Sequence, residues 1–232
     1  TGATGQTGAT GQTGATGTAG TASGALTANQ LGDYLSTSTR LWAFGLGTSG
    51  QLGDNTQTSR SSPVQTITYG ANWKSVACGY STFAIKTDGA LWCWGDNSGG
   101  QLGDNTIVKR SSPVQTVAGG TNWKSVVCYR GHTAAIKTDG TLWTWGYNYF
   151  GQLGDGTIVS KSSPVQTIAG GINWKIAANG GRHTAAVKTD GTLWCWGWNA
   201  YGQLGDNTVA PKSSPVQTVA ILAVIVASCP FA

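Results

Sequence analysis

The residues equipped for chemistry are few. All nine acidic residues are Asp, and the 232-residue chain adds two His and five Cys, with no Glu. Asp54, Asp104, Asp155 and Asp206 stand 50 or 51 residues apart, each closing a Gly-Gln-Leu-Gly-Asp segment. A calcium loop needs oxygen ligands at alternating positions. The residues after these Asp do not supply them, so the aspartates read as turn caps. His132 and His183 each precede Thr-Ala-Ala and read as hydrogen-bonding groups inside one structural unit. Cys93 and Cys195 align with Ala43 and Thr144, which marks a slot for a small side chain rather than a reactive thiol. Cys78 and Cys128 align with Asn179. Zinc would need Cys and His from different units to converge, so neither metal nor cofactor is expected. With no Glu acid or base and no Ser-His-Asp arrangement, no catalytic set emerges and the chain reads as a non-enzyme.

Recognition chemistry is better represented. Blocks of sequence recur along the chain, and specificity belongs where the pattern breaks. Those positions are Tyr80, Tyr129, Arg130, Tyr147, Tyr149, Phe150, Trp198 and Tyr201. Aromatic residues and Arg dominate the energetics of protein interfaces, which makes these eight the candidate binding residues. The loop after each Gly-Asp also varies, with Gln57-Thr58, Ile107-Val108, Ile158-Val159 and Val209-Ala210 in equivalent places. Lys and Arg recur in register around the repeats, with Asp among them. That opposes the one-sided basic footprint of a nucleic-acid binder, despite a net charge of +5.

The elements that position these residues follow from the repeats. Leu-Trp-x-(Trp/Phe)-Gly begins at Leu41, Leu91, Leu142 and Leu193, Ser-Ser-Pro-Val-Gln-Thr at Ser61, Ser111, Ser162 and Ser213, and Asn-Trp-Lys at Asn72, Asn122 and Asn173. A fixed period near fifty implies stacked units, none able to bury a core alone. Asp88-Gly89, Asp139-Gly140 and Asp190-Gly191 are hairpin turns, since both residues tolerate positive φ. In the strand that follows the first turn, Trp92 and Trp94 share one face, and Leu91 and Cys93 the other. Both faces are apolar. With helix-forming Glu and Met absent, the sheet must stack on sheets like itself, as propeller blades do. Ten of the eleven Trp recur in register and read as blade-to-blade core; Trp198 is the exception.

The ends differ in composition. Gly occupies every third position from Gly2 to Gly20. That is the period of a collagen triple helix, though without Pro. Residues 1–20 therefore read as a collagen-like tract, 21–40 as a Thr/Ser/Ala-rich connector, 41–220 as the repeats and 221–232 as a divergent apolar tail, of which Ala223–Cys229 could supply a further strand. The absence of Met reads as a processed product or fragment. The longest apolar run, Ile221–Ala227, is far shorter than a membrane-spanning helix requires, and no signal peptide is visible.

The segment Leu-Trp-x-Trp-Gly-x-Asn-x-x-Gly-Gln-Leu-Gly-Asp, with Gly-His-Thr-Ala-Ala-Ile at 131–136 and Arg-His-Thr-Ala-Ala-Val at 182–187, resembles the regulator-of-chromosome-condensation repeat. The first unit departs from it, with Tyr80-Ser81-Thr82-Phe83 and no His. The resemblance implies a β-propeller, usually of seven blades; the Lys-Thr-Asp-Gly-Thr-Leu-Trp segments at 137–143 and 188–194 are similar to repeats in bacterial and cyanophage surface proteins, and the triplet tract to collagen-like tracts of bacterial and phage surface proteins. Only about three and a half units fit this chain. The expectation is an all-β, propeller-type array of about 3.5 four-stranded units forming an incomplete ring behind a collagen-like stalk. That picture gives a non-enzymatic structural or adhesive fibre on a virion or bacterial surface, trimeric through its stalk, touching a host protein or glycan. The alternative is a protein-binding propeller module acting through one face, as the family's inhibitors and exchange factor do.

Overall fold

A computed structural model describes residues 40–67 and 72–219. The collagen-like tract, nearly all of the connector and the apolar tail lie outside the described residues.

Fourteen strands and no helix are described. The first two, β1 (Trp42–Gly45) and β2 (Arg60–Gln65), form a two-stranded sheet. Three four-stranded antiparallel meanders follow. Blade 1 holds β3 (Trp73–Cys78), β4 (Ser81–Lys86), β5 (Leu91–Gly95) and β6 (Arg110–Gln115). Blade 2 holds β7 (Trp123–Tyr129), β8 (His132–Lys137), β9 (Leu142–Gly146) and β10 (Lys161–Gln166). Blade 3 holds β11 (Trp174–Asn179), β12 (His183–Lys188), β13 (Leu193–Gly197) and β14 (Lys212–Gln217). β1 and β2 carry the sequences of the third and fourth strands of a blade, so the array is three blades and a half.

The repeated residues explain this division. The Asp-Gly turn between β4 and β5 needs Gly89, at φ +86°, where a Cβ would fall 2.1 Å from the Thr121 carbonyl oxygen. The Ser-Ser-Pro-Val strand is always outermost; its Pro has no N–H to give a further strand, so the edge is where Pro is tolerated. The first strands β3, β7 and β11 pack successively against one another and form the inner edge.

Both faces of blades 1 and 2 are covered, whereas blade 3 has no following blade among the described residues. Leu91 and Cys93 pack with Trp123 and Trp145 of the next blade, while Trp92 and Trp94 pack with Trp73 and Leu41. A polar staple repeats at each junction. The Gln101 carbonyl of blade 1 accepts from Trp145 Nε1 at 2.6 Å and Thr133 Oγ1 at 2.9 Å, both on blade 2. Gln51 O takes Trp94 and Thr82 in the same way, and Gln152 O takes Trp196 and Thr184. Gly103 lies under the Trp145 indole, 2.8 Å from its nitrogen to where a Cβ would stand. The Gly-Gln-Leu-Gly block is thus a receptor for the next blade.

Two expectations need correction. Trp42 is not core: it is 54% exposed, and Phe44 is 68% exposed, because the half blade lacks the two inner strands that would cover them among the described residues. His132 does not bond within its blade either. Its Nε2 meets Thr184 Oγ1 of blade 3 at 2.9 Å.

Candidate functional site

Each meander turns alternately at two ends, so loops of two kinds share one face, here termed the upper face. They are the short loops before β4, β8 and β12 and the long loops after β5, β9 and β13. All eight candidate residues lie there. The lower face carries the Asp-Gly turns, where Lys86, Lys137 and Lys188 each sit over two indoles. Lys137 Nζ is 4.9 Å from the centre of Trp123 and 4.5 Å from that of Trp143. Those in-register lysines are packed into the fold, as cation–π partners, instead of forming a basic patch.

The long loops are rigidly built. Asn148 is fully buried, and its Nδ2 donates to Asp155 Oδ1 (3.1 Å), Thr157 O (3.0 Å) and Val159 O (3.2 Å), while its Oδ1 accepts from Leu153 N (2.9 Å). Asn97 and Asn199 do the same in their blades. The repeated Asp are turn caps as the sequence indicates: Asp104 Oδ1 accepts from Thr106 N and Oγ1, and its Oδ2 meets Arg110 at 2.7 Å. Burial alone would raise the Asp104 carboxyl, but the Thr106, Arg110 and Asn97 hydrogen bonds outweigh it and hold the group below the usual carboxylate range. Among the described residues no group of three His, Cys, Asp or Glu is placed to hold a metal ion.

Over this frame lies a cavity of about 420 Å³ that reaches from blade 1 to blade 3. Five candidate residues line it: Tyr80, Arg130, Tyr147, Tyr149 and Phe150. Tyr129 lines an adjoining, mostly apolar cavity of about 570 Å³, shared with Tyr80 and Arg130, that runs to the half blade at Trp42 and Phe44. Trp198 and Tyr201 continue the surface on the other side, with ring centres 6.2 Å from Phe150 to Trp198 and 5.1 Å from Trp198 to Tyr201.

Among the lining residues that the sequence reading missed are Arg182, His132 and Asp96. Arg182 was within reach, because it breaks the repeat: His132 follows Gly131, whereas the equivalent His183 follows Arg182. The exchange has a steric basis. A Cβ at Gly131 would fall 2.0 Å from the Tyr147 ring. In the next blade Trp198 replaces Tyr147, and Arg182 lies over it, 5.5 Å to the ring centre, and over Phe150 at 5.4 Å. Arg130 takes a left-handed backbone (φ 54°) and lies over Tyr129 at 5.8 Å. Its side chain runs beside Gly181, where a Cβ would be 3.9 Å from its Nε. Asp96 is held by Gln101 Nε2 at 2.7 Å and Lys109 at 3.6 Å.

His132 belongs to the cavity floor. Thr184 gives its hydroxyl proton to Gln152 O, so it accepts from His132, whose proton must sit on Nε2. Nδ1 is then a buried acceptor with no partner. Burial, and next the charge of His183, push the imidazole pKa down to about 3, so the floor is neutral at physiological pH.

The comparisons with known proteins agree with this architecture. The model described as "Regulator of chromosome condensation (RCC1) repeat" matches residues 39–85, 88–136, 139–187 and 190–229. The chain belongs to that repeat family. It is similar to the ultraviolet-B receptor UVR8 of Arabidopsis thaliana, 38% identical over 87 residues that make up 37% of this chain and 20% of the receptor. It is also similar to the RCC2 homolog of Danio rerio, 41% identical over 75 residues, 32% of this chain and 15% of that protein. The fold matches Prp20p of Saccharomyces cerevisiae, solved in a study of its binding to Gsp1p and histones. The TM-score is 0.67 at 20% identity, covering 77% of this chain and 46% of that one. The matched stretches thus span less than half of each relative.

These findings overturn the expectation of a structural or adhesive fibre on a virion or bacterial surface. The matched relatives are an ultraviolet-B receptor, an RCC2 homolog and Prp20p, none of them described as a virion or surface protein. That expectation rested on the glycine triplets at 2–20, which lie outside the described residues, and on the likeness of the Lys-Thr-Asp-Gly-Thr-Leu-Trp segments to surface-protein repeats.

Proposed function

We propose that the chain is a non-enzymatic protein-binding propeller module that engages a partner through its upper face. The observation that carries this reading is the gathering of Arg130, Arg182 and seven aromatic side chains from separate loops onto one concave surface. Tyr, Trp and Arg are the residues that anchor protein interfaces, and here they stand on loops pinned by the buried Asn network. The ultraviolet-B receptor among the relatives accords with this reading. A glycan is the weaker fit, since a sugar needs an open ring face, and Phe150 and Trp198 are already covered by Arg182.

The test is capture of partners by the full chain, identified by cross-linking and mass spectrometry, beside a variant carrying Tyr129→Ala, Arg130→Ala and Tyr149→Ala. All three side chains are exposed, so the fold tolerates their truncation. Loss of the captured protein supports the proposal; undiminished capture by the triple variant refutes it.

A further inference from the structure

We infer that the cavity between blades 1 and 3 takes an acidic side chain of a partner polypeptide, its carboxylate received by the guanidinium of Arg182 with Arg130 beside it. This rests on the protein-binding reading and names the chemistry of the partner.

The argument begins with how Arg182 is held. Its guanidinium lies over both Phe150 and Trp198, and Trp198 is braced edge-on by Tyr201, the two rings meeting at 82°. These cation–π contacts engage the guanidinium through its charge and leave its N–H donors untouched. Among the described residues no carboxylate, carbonyl or hydroxyl accepts from those donors. A planar fork of donors, held in place and unspent, matches a carboxylate in bidentate fashion.

The surroundings favour a carboxylate over other anions. Arg130 approaches within about a van der Waals contact of residue 181, next to Arg182 in the chain, so the two positive side chains converge on one small cavity. The floor adds no charge, because the His132 imidazole is neutral. Asp96 stands on the opposite rim with its charge met by Lys109. The Phe150 and Trp198 ring faces that lie under Arg182 are closed to base stacking. A cavity of about 420 Å³ has room for one or two side chains. The Tyr80 and Tyr149 rings at its mouth, 57% and 68% exposed, offer apolar contact to the flanking peptide.

Arg182→Lys separates this proposal from simple charge attraction. Lysine keeps the positive charge but lacks the planar fork, and residue 182 is exposed enough for the fold to survive. The full chain is titrated by fluorescence anisotropy with a labelled peptide of alternating Asp and Gly, with the same peptide carrying Asn for Asp, and with an oligouridylate of similar length. The expected result is binding of the Asp peptide, at least tenfold weaker binding of the Asn peptide, and a tenfold loss in Arg182→Lys. Equal affinity for the Asp and Asn peptides, tighter binding of the oligouridylate, or full affinity in Arg182→Lys would each overturn the inference. If the partner captured by the upper face is lost in the Tyr129, Arg130, Tyr149 triple variant yet is not displaced by the Asp peptide, the protein-binding reading stands and the carboxylate inference falls.

Discussion

Trp145 Nε1 gives its proton to the carbonyl oxygen of Gln101, a residue of the preceding blade, at 2.6 Å. Both groups are buried, so the bond is an obligation as much as a gain: a buried polar group without a partner costs about 1–3 kcal/mol. Trp145→Phe removes the donor together with part of the ring, leaving Gln101 O with Thr133 alone. The variant is expected to lose about 1–2 kcal/mol in urea denaturation. Trp143→Phe, whose N–H meets the hydroxyl of Thr141 on the partly exposed side, is the control and should lose less.

The long loops of the upper face depend on one amide each. Replacing Asn148 with Ala strips the Thr157 and Val159 carbonyls of a donor and leaves Leu153 N without its acceptor. The expected cost is about 2–4 kcal/mol, the range for breaking a buried hydrogen-bond network. The damage should be local first. Limited proteolysis is expected to cut between residues 155 and 160 in the variant at protease concentrations that leave the parent chain whole. Equal resistance would mean the loop holds itself by other means.

Stability should fall with acid earlier than carboxylates alone dictate. The folded pKa of His132 is lowered to about 3 from an ordinary 6.5. A proton therefore binds the unfolded chain first as pH drops below 6.5, and unfolding is favoured progressively down to about pH 3. Each pH unit in that window is worth up to about 1.4 kcal/mol. Asp104, whose folded pKa is depressed, acts in the same direction but only near and below the ordinary carboxylate range. Urea denaturation at pH 7 and pH 5 should differ by roughly 2 kcal/mol, and His132→Gln should remove much of that difference. An unchanged slope in the variant would show that His132 is not the group responsible.

Thiol reactivity should separate the cysteines by burial. Cys78 is exposed, whereas Cys93 and Cys195 are buried. Burial pushes the Cys128 thiol up to about 12 and Cys195 to about 11, so little thiolate exists at either at pH 8. Iodoacetamide at pH 8 followed by peptide mapping is expected to label Cys78 in the native protein, and Cys93, Cys128 and Cys195 only in denaturant. Rapid native labelling of Cys93 would contradict its place in the blade core.

Much of the fold could be read from the repeats because each block has one local job. The Asp-Gly turns, the two-faced Leu-Trp strand and the outer Pro strand all appear where their spacing puts them. The slot shared by Cys93 and Thr144 is small and polar in the structure: Cys93 Sγ and Thr144 Oγ1 each donate to a Leu carbonyl of the following loop. What sequence spacing did not reveal are contacts between units. The His132–Thr184 bond joins residues 52 apart in different blades, and nothing within one repeat signals it. Trp42 follows the repeat yet is exposed, because burial depends on the neighbouring strands and not on its own register. Seven of the eight candidate residues are bulky rings, visible as departures from the repeat. Arg182 escaped because it sits beside a repeated His and was read as part of that motif.

The staple between blades also gives the array a direction. Each blade offers a carbonyl on one flank and brings an indole and a hydroxyl on the other, so every junction is the same lock entered from the same side. Among the described residues Phe44, which has no N–H, stands at one end of the series, and the Gln203 carbonyl meets no donor from a further blade at the other. Such a chain can be lengthened like a tiled row: an inserted copy of residues 117–167 would carry both halves of the lock and fit its neighbours without any change to them. Reversing a blade would fit neither. Duplication of a segment about fifty residues long is therefore the natural way for this array to gain or lose blades while keeping every existing junction intact.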